Sequence, residues 1–282
     1  MNKIDFIMTF TVSNANPNGD PLAGNMPRTN ASGFGEVSDV CIKRKIRNRF
    51  QDNGFDIFVK SKERSDDGCE SLESRYKLFF NKNISDVELE KAFNEKWIDV
   101  RGFGQVITYD KRSIGIRGPI SIGIAKSLDP VCIENMQITK SINGMEAKKE
   151  KNVSNVSSDT MGMKYFVEFG TYIVQGAINA YFAKKTGFNE SDVDAFKEAL
   201  RTLFVNDASS ARPDGSMEVK DIFWFEHSCP VGNVSSAKIK NLVKWDESDE
   251  HKCYEDYNIR MDGEKLKKYE ELGLKLTVIK GL

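Results

Sequence analysis

Apolar and polar residues alternate near the start of the chain, and this is the clearest periodic pattern in the sequence. Every second residue from Ile4 to Val12 is apolar, and Asp5, Thr9 and Thr11 lie between them. A period of two turns one apolar face toward a core, so the pattern predicts a β-strand.

A segment rich in asparagine, proline and glycine follows this strand. Residues 14–21 read NANPNGDP, a composition that favours turns, and we expect a loop as far as Gly35. Ser38 then suits the N-cap of a helix. Apolar residues recur at every fourth position from Ile42 to Phe50, which predicts one buried helical stripe.

The predicted helix also carries the densest positive charge in the chain. Between Cys41 and Arg49 there are five basic residues and no acidic one. Such a run is typical either of the solvated face of a core helix or of a surface that binds nucleic-acid phosphates. Charge density alone leaves both interpretations open.

Weaker patterns predict most of the remaining elements. The polar span from Ser61 to Lys96 has apolar residues at helical spacing and is interpreted as an insertion that contains at least one helix. Residues 99–105 are expected to form a glycine-containing turn, whereas residues 114–124 and 274–279 alternate like strands.

The region from residue 136 onward contains a segment of different composition. Residues 141–159 are rich in Lys, Asn, Ser and Glu, and they lie between possible strands at 136–139 and 165–178. A protruding hairpin and a disordered loop both fit this segment. Asn189 with Asp192 resembles a capping box ahead of a second amphipathic helix.

The order of these elements favours one fold class. Strand, helix, strand, a further helix and late strands, including one at residues 221–226, predict an α+β sandwich of the ferredoxin-like kind. We find no repeat and no linker, and therefore expect a single elaborated domain over residues 1–282. Sheets of this kind commonly serve as platforms for RNA.

Composition excludes some classes of protein. The sequence contains no run of about 18 apolar residues and no basic region followed by an apolar one at its start, so we expect a cytoplasmic protein without membrane association. The five cysteines are widely separated, as in reduced proteins. The net charge of −1 does not by itself indicate nucleic acid, but totals can hide local patches.

Two HxC pairs offer the ligand types of a zinc site. His227 with Cys229, and His251 with Cys253, could supply nitrogen and sulfur donors. Structural zinc sites usually have tighter spacings, and we therefore expect no metal and no cofactor.

Several ordered blocks resemble one protein family. The blocks are NPNGDP at 16–21, GNMPR at 24–28, VSDVCIKRKIRN at 37–48, DVRGFG at 99–104, IRGP at 116–119, QITK at 137–140, TMGMK at 160–164 and NDASSARP at 206–213. In this order they closely resemble the backbone subunit of type I-C CRISPR Cascade, a member of the RAMP superfamily.

The resemblance implies an architecture and partners. It implies an RRM-like palm (residues 1–54, 98–140 and 160–282), an inserted finger region (about 55–97) and a protruding hairpin thumb (about 141–159). Copies of the subunit would stack in a helical filament along the CRISPR RNA, together with the RNA-processing RAMP subunit and the large subunit. Each thumb would kink the RNA and displace one base, which leaves the other bases free to pair with target DNA.

Binding an RNA of any sequence requires contacts to its ribose-phosphate backbone. The residues expected to contact RNA are Asn16, Asn18, Arg28, Lys43, Arg44, Lys45, Arg47, Arg101, Gln105, Arg117, Gly118, Lys140, Met163, Lys164, Ser209, Ser210 and Arg212. The basic helix comes first among them. Arg117 beside the small Gly118 could approach a phosphate closely, although surface ion pairing is the alternative. Met163 fits either a wedge beside the displaced base or a core position.

Two other functions remain as alternatives at this point. A RAMP endoribonuclease that processes CRISPR RNA would need a base such as a histidine, and only His227 and His251 are present, both outside the basic region. A general single-strand-binding protein would need aromatic stacking platforms, but the aromatic residues mostly follow core periodicity. We therefore expect a non-catalytic protein.

Overall fold

The structure of the protein is a computed structural model, which describes residues 1–81, 83–139, 161–248 and 251–282. The strands are β1 (Ile4–Ala15), β2 (Gly19–Asp20), β3 (Met26–Pro27), β4 (Phe34–Val37), β5 (Gly104–Ile107), β6 (Ile114–Arg117), β7 (Ile120–Ile122), β8 (Ala125–Pro130), β9 (Ile133–Thr139), β10 (Met161–Ile178), β11 (Met217–His227), β12 (Val243–Lys244), β13 (Arg260–Met261) and β14 (Leu274–Lys280). The helices are α1 (Asp39–Asp52), α2 (Leu72–Phe79), α3 (Asp86–Lys96), α4 (Ile98–Phe103), α5 (Ala180–Thr186), α6 (Glu190–Arg201), α7 (Ser236–Lys240) and α8 (Gly263–Glu271).

A mixed α/β fold is built around a central antiparallel sheet. Its strands follow the order β14-β11-β1-β10-β8-β4, and β7 and β9 also pair with β10. The predicted first strand lies in the middle, paired with β10 on one side and β11 on the other. Because side chains alternate along β1, neighbouring residues point to opposite faces of the sheet. Phe6, Met8 and Phe10 belong to the buried cluster on one face, and Ile7 belongs to the cluster on the other.

Helices α1 and α6 pack on one face of the sheet. The N-cap predicted for α1 is confirmed, because the Ser38 hydroxyl accepts a hydrogen bond from the backbone N–H of Cys41. The capping box predicted at Asn189 and Asp192 is also present at the start of α6. The opposite face is partly covered by the chain from α7 onward, whose Leu242 packs in the same cluster as Ile7.

The insertion after α1 has a core of its own. Its buried residues are Phe58, Tyr76, Leu89, Phe93, Trp97, Val100, Ile107, Ile114 and Ile116. This cluster is dominated by aromatic rings in direct contact, such as Phe58 and Trp97, whose centroids are 4.7 Å apart. The cluster continues past residue 97 into the hairpin of β5 and β6, so it includes more of the chain than the insertion expected from sequence.

The prediction of a turn at residues 99–105 is wrong. Residues Ile98–Phe103 form α4, and Gly104 begins β5. Tertiary contacts override the glycines here, because Gly102 packs closely against Ile120 and Phe188. The loop expected up to Gly35 also needs correction, since it contains the short β2–β3 hairpin and the first residues of β4.

Strands β9 and β10 form a hairpin arm that reaches beyond the sheet. They confirm the two strands predicted around residues 136–139 and 165–178, and their register pairs Thr139 with Met161. The expected thumb at 141–159 and Lys140 lie outside the described residues.

Among the described residues, every helix is too short or too polar to traverse a lipid bilayer.

Candidate nucleic-acid interface

The asparagine-rich loop folds onto the start of α1. The Asn18 side-chain oxygen accepts a 2.9 Å hydrogen bond from the backbone N–H of Ser38. The Asn16 amide donates to the Asn25 carbonyl oxygen at 2.7 Å. Arg28 pairs with Asp20 at 3.4 Å. The amides of Asn16 and Asn18 therefore hold the loop in shape, and Arg28 remains partly exposed above it.

The cations of α1 all have partners inside the protein. Arg47 Nε lies 3.0 Å from Asp99 Oδ2, and Arg44 donates to the Val59 carbonyl oxygen at 2.7 Å. Lys43 pairs with Asp39 one turn earlier, at 3.0 Å.

Lys45 is the most deeply placed of these cations. Its side chain is 4% exposed and pairs with Asp207. Burial lowers the pKa of Lys45 below its ordinary value, and the neighbouring Asp207 offsets only part of this effect. Most of the positive charge of α1 is therefore balanced within the fold. RNA binding by this helix stays a prediction.

A second loop, residues 206–213, meets the asparagine-rich loop. The Asn16 backbone N–H donates to the Ala211 carbonyl oxygen at 2.8 Å. Arg212 reaches both the Asn16 carbonyl oxygen, at 3.4 Å, and Asp207, at 3.3 Å. Ser209 pairs with Arg212 through backbone hydrogen bonds, and Ser210 is exposed beside it. The fold thus brings Lys45 and Arg212 together at one carboxylate, Asp207, and Arg212 also joins this carboxylate to the Asn16 backbone.

A separate group surrounds α4. Arg101 makes a two-point contact with Asp192, at 2.6 and 2.9 Å, and this pair ties α4 to the capping box of α6. Gln105 donates to the Val106 carbonyl oxygen at 3.1 Å. A side chain at Gly118 would place a Cβ 2.3 Å from the Gly102 carbonyl oxygen, so chain packing alone already requires glycine there.

Arg117 and Lys164 differ from the other predicted cations. Neither forms an ion pair or a side-chain hydrogen bond with another described residue, whereas Arg44, which also lacks an acidic partner, donates to the Val59 carbonyl oxygen. The exposed Arg117 guanidinium lies over the Phe182 ring, 4.3 Å from its centroid, which fixes the cation without neutralising it. Phe182 is 65 positions further along the sequence, and no local pattern predicts this contact.

The hairpin arm exposes apolar side chains on both faces. Met163 is 49% exposed, so it does not occupy a core position, and its contact with a displaced base stays a prediction. Met161 lies on the same face, while Met136 and Ile138 lie on the other, and all three are exposed. Sequence analysis missed Met136 and Ile138, although both stand at alternate positions of a predicted strand.

The two histidines are engaged in separate structural contacts. His227 has a fully buried side chain; its Nε2 lies 2.8 Å from Asp5 Oδ2, and its Nδ1 accepts the Asn233 backbone N–H at 2.8 Å. His251 pairs with Asp129 at 2.6 Å. Within the described ranges, the group with suitable geometry for a metal is the exposed set Cys132, Glu134 and Glu168, which contains neither HxC pair.

Known proteins resemble this chain in sequence and in fold. A curated relative from Haloferax volcanii, CRISPR-associated protein Cas7, is 24% identical over 270 residues, which are 86% of this chain and 75% of the relative. A chain of a "CRISPR RNA-guided surveillance complex" superposes with a TM-score of 0.55 and 17% identity, covering 99% of this chain and 89% of the other. A chain of a complex described as pre-nicking gives a TM-score of 0.51 and 13% identity, with 96% and 88% covered. The family model of CRISPR-associated protein Cas7 matches residues 2–262, and the chain therefore belongs to the Cas7 family.

Proposed function

We propose that this chain is the non-catalytic backbone subunit of a type I-C CRISPR surveillance complex. It binds CRISPR RNA in the cytoplasm, stacks with copies of itself in a helical filament, and assembles with the RNA-processing and large subunits. Membership of the Cas7 family over residues 2–262 is the observation that carries this proposal. The ordered blocks that resemble type I-C subunits support the finer assignment.

The sheet supports an RRM-like palm. The first strand β1 lies between β10 and β11, and β7 and β8 pair with the other edge of β10. With α1 after the first strand and α6 between β10 and β11, this is the strand order of a ferredoxin-like unit. The fingers correspond to the aromatic cluster of the insertion, and residues 141–159 are the proposed thumb.

Arg117 and Lys164 are the first candidates for phosphate contacts. Both lack an acidic partner among the described residues, so a phosphate would meet uncompensated charge. Lys43, Arg44, Arg47, Arg28 and Arg212 would contact RNA only by sharing or exchanging their present partners. Lys45, Asn16 and Asn18 contribute by holding the loops in place.

The hairpin arm supplies the base-displacing part of the proposal. The exposed thioether of Met163 can lie against a base that has left the stack, since a methionine side chain adapts to irregular surfaces. The remaining bases stay available for target DNA. Ser209, Ser210, Gln105, Gly118, Arg101 and Lys140 complete the proposed contacts to RNA or to a neighbouring copy.

The endoribonuclease alternative gains no support from the histidines. A general base must reach the 2′-hydroxyl of its substrate, and the His227 side chain is buried with both ring nitrogens occupied. His251 is also almost enclosed and bonded to Asp129.

The proposal is tested by RNA binding to the purified protein. Arg117→Glu with Lys164→Glu should weaken binding to every RNA sequence equally and reduce the slope of log K against log salt by about 1 to 2. Lys267→Glu with Lys268→Glu, two exposed lysines of α8, is the control of equal charge change. Loss of binding for one sequence only, equal loss in the control, or specific cleavage of repeat RNA would contradict the proposal.

A further inference from the structure

A large cleft lies on the side of the sheet that faces away from α1 and α6. Its volume is about 700 Å³, within the usual range for ligand pockets. The outward-facing Ile7 and Ile173, from β1 and β10, contribute to its floor. Residues between Lys240 and Glu247 also line the cleft, and Trp245 is one of them.

The charges around this cleft favour an anionic ligand. Three lysines line it, Lys126, Lys240 and Lys244, against one acidic residue, Glu247. Lys126 lies 3.4 Å from Glu36, whereas Lys240 and Lys244 form no salt bridge in the part of the chain that the structure describes; Asp262 is near Lys244 without pairing with it. Two unpaired ammonium groups beside a low-dielectric wall attract an anion more strongly than isolated surface lysines do.

The neutral groups of the cleft favour a ligand with a planar part. Trp245 offers an aromatic surface that is only partly covered by its neighbours. The side-chain amides of Gln175 and Asn241 also line the cleft and make no hydrogen bond to another described residue. A nucleobase can stack on an indole ring and bond to amides, while its phosphate meets the lysines.

We propose that this cleft binds a nucleotide unit of single-stranded nucleic acid. An acidic peptide would satisfy Lys240 and Lys244, but it would leave the aromatic wall and the apolar floor unmatched. The site goes beyond the proposed function, because it shares no residue with the interface built on α1, Arg117 and the hairpin arm. It also requires no partner subunit.

Tryptophan fluorescence can report on this site directly. The other two tryptophans, Trp97 and Trp224, are 0% and 1% exposed. Of the three tryptophans, Trp245 is therefore the one whose fluorescence a stacked ligand can quench directly. Titration of the full-length protein with tetrauridylate should give saturable quenching. The quenching should vanish in Trp245→Phe, and its midpoint should rise at least about tenfold in Lys240→Glu with Lys244→Glu.

The control variant is Lys238→Glu with Lys268→Glu, which changes the net charge equally at exposed positions that do not line the cleft. It should bind tetrauridylate like the original protein, and circular dichroism should show the same fold for all variants. Absence of saturable quenching, unchanged binding in Lys240→Glu with Lys244→Glu, or equal quenching by hexaglutamate would overturn the proposal. Assembly with CRISPR RNA is measured separately, so failure here leaves the proposed function intact.

Discussion

Arg47 and Asp99 form a buried ion pair that joins α1 to the insertion. The Asp99 carboxylate has no exposed surface, and it also accepts the backbone N–H groups of Phe58 and Val59, at 2.7 and 3.1 Å. Removing only the cation leaves a buried negative charge without its partner, which costs far more than losing an exposed pair.

Arg47→Ala should lower the free energy of unfolding by about 3–5 kcal/mol, measured by urea denaturation. Lys43→Ala on the same helix should lower it by only about 0.5 kcal/mol, because the Lys43–Asp39 pair is a partly exposed contact between adjacent turns. Similar small effects for both variants would show that the Arg47–Asp99 pair is not the structural link described here. Reversing Arg47 to Glu is for the same reason a poor test of RNA binding.

Asp5 makes the protein sensitive to acid. Burial raises the pKa of Asp5, but hydrogen bonds from His227, Ser236 and Lys3 outweigh that effect and lower it below the ordinary value. A lowered folded-state pKa contributes stability above the unfolded-state pKa of about 4, and that contribution is lost as the pH falls through the folded-state pKa.

Asp5→Asn should therefore unfold more easily than the original protein at pH 7, and the difference should narrow when both are measured at about pH 3. Urea denaturation at the two pH values gives the comparison. A difference that stays constant between them would rule out the carboxylate of Asp5 as its cause.

The sequence reveals which residues are charged but not how each charge is compensated. Lys45 and Asp207 are 162 positions apart, and Arg101 and Asp192 are 91 apart. No local pattern connects such pairs, because they meet only after the sheet has formed. The sequence therefore leaves the role of the basic run in α1 open, although it predicts the helix itself correctly.

At the scale of elements, local signals succeed where periodicity and capping agree. Helices α1 and α6 combine an apolar period with a cap at their starts, and strand β1 combines one with turn residues at its end. Helix α4 has Gly102 near its end and Gly104 just after it, which favour a turn, whereas the packing of Gly102 against Ile120 and Phe188 supports the helix. The hairpin arm was foreseen as two strands, but not the exposure of its apolar residues.

The aromatic cluster of the insertion should respond to mutation as a packed core. Phe93 is fully buried and contacts the rings of Phe58, Phe80 and Trp97. Phe93→Ala should lower the free energy of unfolding by about 3–5 kcal/mol, as measured by chemical denaturation.

The exposed Leu78 of α2 provides the matched control. Leu78→Ala should change stability by less than about 0.5 kcal/mol, since its side chain is largely in water. Hydrogen exchange of the Phe93 variant should rise most in the insertion, because the sheet has a separate core. A small effect of Phe93→Ala would contradict a tightly packed insertion.

At the scale of the whole molecule, β1 pairs with β10 and β11, strands more than 140 residues away in sequence. Composition and periodicity predict the strands but do not determine such pairings. The order of elements predicts the α+β class and a ferredoxin-like sandwich, whereas the functional assignment depends on blocks of residues that resemble a known family. The cleft beside Trp245 forms where the chain after α7 packs against the sheet, and no sequence pattern predicts it.

The central claim is that copies of this protein line a CRISPR RNA. The most direct test is electron microscopy of the protein co-expressed and purified with a CRISPR RNA and its sibling subunits. The account predicts several copies in a regular helical row, each contacting one RNA with Arg117 and the β9–β10 arm. Purification of the protein without RNA under these conditions, or particles that contain isolated copies only, would contradict it.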